Sequence, residues 1–77
     1  MKKTTNRHYY VLFSGMVQGV GFRYAARSCA YKYIIYGWVA NRSDGTVELD
    51  VEGTILDLDN FLKELKEEFK THIKDIQ

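Results

Sequence analysis

The spacing of apolar positions changes along the chain, and each change marks an element. From Thr46 to Glu52, Val47, Leu49 and Val51 alternate with Thr46, Glu48, Asp50 and Glu52. That period of two predicts a strand with one buried and one wet face. Farther on, Leu58, Phe61, Leu62, Leu65 and Phe69 follow helical spacing, an amphipathic stripe with Lys63, Glu64, Lys66, Glu67 and Glu68 on the solvated side. Gly53 is expected to break the strand and Thr54 to cap the helix, with Asp57 and Asp59 suiting the dipole of its early turns. Upstream, Ile34 to Arg42 reads as a strand. Ser43-Asp44-Gly45 supplies the turn that pairs it with the next strand as a hairpin.

Nearer the N-terminus, His8 to Val17 is β-prone. Tyr9, Val11 and Phe13 lie on one face and Tyr10, Leu12 and Ser14 on the other. Apolar groups on both faces suit a central strand and leave the inward face open. Phe22 to Tyr33 reads as a helix whose buried stripe is Phe22, Ala26, Cys29 and Tyr33. Thr71 to Gln77 alternates weakly, as the start of a fourth strand would. The order β-α-β-β-α-(β) predicts an α+β fold, a ferredoxin-like sandwich with an antiparallel sheet and both helices on one face. The C-terminal strand reads as incomplete, which would take away the first strand's outer neighbour and open an edge to pairing between chains. Residues 1–7 are expected to be a flexible tail and residues 8–77 a single domain.

Composition narrows the function classes. Eleven basic and ten acidic residues leave a net charge of +1, without the basic excess of a nucleic-acid or membrane binder. No stretch approaches the roughly 18 apolar residues of a membrane span. The single cysteine, Cys29, allows no internal disulfide, which fits a reducing cytoplasm. It reads as a small buried hydrophobe. His8 and His72 match no metal-ligand spacing and are expected at the surface. Aromatic residues on the exposed face of the 46–52 strand would favour RNA, but that face carries Thr46, Glu48, Asp50 and Glu52.

The densest chemistry lies in Gly15-Met16-Val17-Gln18-Gly19-Val20-Gly21-Phe22-Arg23, between the first strand and the first helix. A glycine loop entering a helix presents free backbone N–H groups at the positive end of the dipole, which suits an anion. Arg23 in the first turn adds a planar fork for two phosphate oxygens. Taken alone, this run reads more readily as an ordinary strand-helix turn than as a phosphate site.

This run closely resembles the first motif of the acylphosphatase family, G-x-V-Q-G-V-x-F-R. Gly37-Trp38-Val39-Ala40-Asn41-Arg42-Ser43-Asp44-Gly45-Thr46-Val47 resembles the second, G-x-V-x-N-x-x-D-G-x-V. The resemblance covers about residues 8–70. It implies hydrolysis of the carboxyl-phosphate bond of small acyl phosphates, giving carboxylate and phosphate, with no metal and no cofactor. It implies that Arg23 and the backbone amides of Gln18, Gly19, Val20, Gly21 and Phe22 bind the phosphoryl group, or free inorganic phosphate. Asn41 would position the attacking water. The expected partner is a small acyl phosphate, with neither nucleic acid nor membrane, and the chain is expected to act as a monomer. Nothing in the sequence forms a selective acyl pocket, so broad substrate tolerance is expected. A non-catalytic anion-binding module of the same kind is the alternative.

Overall fold

The computed structural model describes residues 6–77. Its elements are β1 (Asn6–Gly15), α1 (Phe22–Tyr33), β2 (Tyr36–Asn41), β3 (Val47–Thr54), α2 (Ile55–Glu68) and β4 (Ile73–Ile76). The strands form one antiparallel sheet in the order β2-β3-β1-β4, and the β-α-β-β-α-β order is the expected one. The inward face of β1, left open by its sequence, is that of Val11 and Phe13, which are buried, and Tyr9, which is half-buried.

Val47, Leu49 and Val51 of β3 and Leu58, Phe61 and Leu65 of α2 join them in one core. Phe22 is the hub, its ring 4.9 Å from that of Phe13 and 5.0 Å from that of Phe69. Tilted aromatic pairs at such distances add about 0.5–1.5 kcal/mol beyond their buried area. Val17, expected at the end of the first strand, lies instead in the loop and is buried. It pins the loop to the core.

Several boundaries differ from those the sequence suggests. β1 begins at Asn6, because Asn6 and Arg7 pair with Thr54 and Gly53. The expected flexible tail therefore loses its last two residues to the sheet, and its first five lie outside the described residues. Gly53 does not break β3. It is a paired, buried strand residue with the Ile35 side chain packed over it, a contact that local propensity cannot register. β2 starts two residues late. Ile34 ends α1 in the left-handed region, φ 56° and ψ 55°, with its N–H bonded to the Ala30 carbonyl. A β-branched residue there costs roughly 1–2 kcal/mol, where glycine or asparagine would be relaxed.

The expected loss of β1's outer neighbour is corrected as well. β4 pairs with Phe13, Ser14 and Gly15, and Leu12 and Gln77 exchange both backbone bonds at 2.9 Å. His72, expected at the surface, is half-buried with its ring against Phe69. Cys29 is buried as expected, and burial followed by the nearby Glu64 carboxylate pushes its thiol up to about 11. The outer face of the sheet carries Glu48, Asp50 and Glu52, but the register sets Tyr10, Trp38 and Tyr36 beside them.

Candidate active site

The loop between β1 and α1 bends through glycines that the sequence places where side chains would be strained. Gly19 has φ 76° and Gly21 has φ 84°. Gly21 is the N-cap of α1, and among the described residues no side chain bonds to the N–H groups of that first turn, nor does the turn hold an acidic residue. The first N–H groups of a helix have no intrahelical acceptor. Here they also lack a capping side chain and follow a loop whose residues Gly19, Val20 and Gly21 are exposed.

Gly19, Gly21, Arg23, Arg27 and Asn41 line one cleft of about 210 Å³. Residues separated by up to 22 positions thus meet at the end of the sheet where β1 stops and β2 stops. Arg23 and Arg27 are four apart on a helix that has no carboxylate, so they share a face. Among the described residues neither arginine forms an ion pair. Two unneutralised guanidinium groups beside open backbone N–H groups make an anion cradle.

The other expected loop residues divide. Phe22 is a core residue, so only its backbone can face the cleft. Val20 lies on the opposite flank, against the groove between α1 and α2. Gln18 does something its sequence did not reveal. Its carboxamide Nε2 donates to the carbonyl oxygens of Arg42, at 2.8 Å, and Thr46, at 2.9 Å. Both of its hydrogens are used, so the side chain straps the loop to the turn that follows Asn41.

That turn is held from the other side too. The Asp44 carboxylate accepts from the Thr46 backbone N–H at 3.0 Å and its hydroxyl at 2.6 Å, and those bonds, the hydroxyl's first, hold the Asp44 carboxyl below its usual range. A depressed carboxyl pKa contributes stability above its unfolded value, near 4, and loses it as pH falls through the folded value. The turn is therefore braced throughout the neutral range. Arg42 N–H bonds back to Thr46 at 2.8 Å, closing the hairpin. Asn41, exposed at the last position of β2, is thereby fixed relative to the loop by its neighbours rather than by its own side chain.

Known proteins are similar to this chain in architecture and in sequence. The family profile described as acylphosphatase matches residues 9–77. The acylphosphatase of Bacillus licheniformis is 48% identical over 58 residues, covering 75% of this chain and 64% of that protein. For that of Oceanobacillus iheyensis the identity is 43%, over 78% of this chain and 66% of the relative. The chain thus spans just under two thirds of the length of these curated relatives. The crystal structure of acylphosphatase from Bacillus subtilis superposes with a TM-score of 0.83 at 36% identity, covering 95% of this chain and 81% of that one. Full-length HypF, crystallised in a phosphate- and nucleotide-bound form, superposes with a TM-score of 0.85 at 32% identity. It covers 99% of this chain, which matches only 10% of HypF.

Proposed function

Because the chain belongs to the acylphosphatase family, we propose that it hydrolyses acyl phosphates to carboxylate and inorganic phosphate. Arg23 and the backbone N–H groups from Gln18 to Phe22 hold the phosphoryl group, and Asn41 holds the attacking water. The observation that carries this reading is the uncapped N-terminus of α1, opening into the cleft that Arg23 and Asn41 share.

An acyl phosphate has a good leaving group, a carboxylate. Its hydrolysis therefore needs positioning and charge stabilisation more than strong acid catalysis. The Arg23 fork and the loop amides neutralise the equatorial oxygens as their charge builds. The Asn41 carboxamide offers both a donor and an acceptor to one water molecule. Among the described residues no carboxylate or imidazole lines the cleft, so a phosphoryl oxygen serves as the acceptor for the water's proton. Protein groups and the substrate's own phosphoryl oxygen fill every role, and the reaction is proposed to run without metal or cofactor, in a monomer of the reducing cytoplasm. No described helix is long and apolar enough to cross a membrane.

The test is hydrolysis of benzoyl phosphate in EDTA by the chain and by its Arg23→Ala variant. Turnover that falls by about 100- to 1,000-fold in the variant is expected, the usual loss for one transition-state donor. Phosphate binding without turnover, in folded protein, would instead identify a non-catalytic anion-binding module.

A further inference from the structure

Arg27 lines two places at once. It forms part of the phosphate cleft with Arg23 and Asn41, and it stands at the mouth of a trough running away from that cleft between α1 and β2. The first stretch of the trough, about 190 Å³, is lined by Ala26, Ala30, Ile35 and Val39. The second, about 540 Å³, reaches Tyr31 and Ile34 at the far end of α1. Among the described residues Arg27 is the sole charged one in either lining. The molecule thus presents a cationic end and an apolar trough in continuity.

The far wall is maintained against a conformational penalty. Ile34 is 65% exposed and sits at φ 56°. A glycine would relax the backbone at that position, and no core contact accounts for an isoleucine there. Tyr31, 89% exposed, adds a second large side chain to the same wall. Exposed apolar groups gathered around a groove mark a binding surface more than scattered ones do.

We propose that this trough binds the acyl chain of the substrate, and that the preferred substrates are acyl phosphates with an extended apolar chain rather than the smallest ones. The inference rests on the acyl phosphate reading of the cleft and replaces the expectation of broad tolerance. Such a substrate has an anionic head and an apolar tail, which is the order of charges along the trough. The bend at the bridging oxygen turns the chain off the axis of attack, and the aliphatic stem of Arg27 can cover its first carbons while the guanidinium stays in water. From Arg23 to Ala30 the helix rises roughly 10 Å, enough for a chain of about eight carbons.

Calorimetry with methyl, butyl and octyl phosphate tests the proposal without relying on turnover. Full burial of a methylene is worth about fourfold in affinity, and a trough open on one side about twofold. Octyl phosphate, longer by seven methylenes, is therefore expected to bind on the order of 100-fold more tightly than methyl phosphate. In Ile34→Gly, which removes the far wall, and Ala30→Trp, which fills the trough, that ratio is expected to collapse by at least tenfold. Equal affinities across the wild-type series overturn the proposal, as does a ratio that survives both substitutions. Ile34→Gly relaxes the backbone and so keeps the test open if Ala30→Trp fails to fold. Failure of benzoyl phosphate hydrolysis in folded protein would strike the catalytic reading instead, and the two results are read separately.

Discussion

The two helices of this domain begin in opposite ways. At α2, the Thr54 hydroxyl accepts from the Asp57 N–H at 3.1 Å and Asp57 lies in the first turn. That N-terminus satisfies itself, with an acceptor at the cap and a negative charge against the dipole. At α1, the cap is Gly21 in the left-handed region, with no capping side chain and no acid, and Arg23 in the first turn. A cation there is unfavourable for the isolated helix. The difference shows what each end is for. The α2 terminus serves stability, whereas α1 leaves donors unpaired and adds a charge that only an anion would make favourable.

Substitutions at four positions test the contrast. The largest effect is expected from Asn41→Ala, which leaves the α1 cradle intact and removes the group that holds water. Its kcat should fall by about 100-fold with the inhibition constant of phosphate unchanged, and equal losses in both would contradict the division of labour. Gly21→Asp makes α1 resemble α2 by setting a carboxylate on the open N–H groups. Phosphate affinity measured by calorimetry should weaken by about 10- to 100-fold, and unaltered binding would place the anion elsewhere. Gln18→Met keeps the length of the strap but not its donors, leaving each strapped carbonyl short of one bond. A loss of about tenfold in kcat is expected, with phosphate affinity retained; restoration of kcat in Gln18→Lys, whose ammonium can donate to the same carbonyls, would assign the effect to those bonds.

Thr54→Ala completes the comparison from the other helix. It should lower stability by about 1 kcal/mol, seen as a fall in Tm of about 4–8 °C, without changing kcat. A change in turnover would mean that the two helix ends are not separate in function.

Much of this was legible locally. The bounds of α1, Phe22 to Tyr33, are those its sequence suggests, because an uninterrupted helical spacing between glycine and a strand pattern leaves little freedom. The α2 stripe and the Thr54 cap were equally plain, being settled by residues three to eleven apart. The boundaries that moved were settled by distant partners or by a backbone conformation the residue type disfavours. Gly53 stays in β3 because Arg7 pairs with it and Ile35 covers it. Ile34 leaves β2 by closing α1 in a conformation its residue type disfavours. Gln18 reads as a member of a phosphate loop, yet its side chain is spent on carbonyls 24 and 28 positions away.

The sequence by itself determined the order of the elements, the two helix termini with their opposite chemistry, and the identity of the groups available for an anion and a water. Each depends on local periodicity, capping and residue type, which act within a turn or two of the chain. The tertiary structure alone decided that Asn41 and Arg23 share a cleft, that Gln18 braces one against the other, and that a trough leads from Arg27 along α1. Those are matters of which surfaces meet when the sheet closes under the helices, and the energies that settle them belong to contacts between residues far apart in the chain.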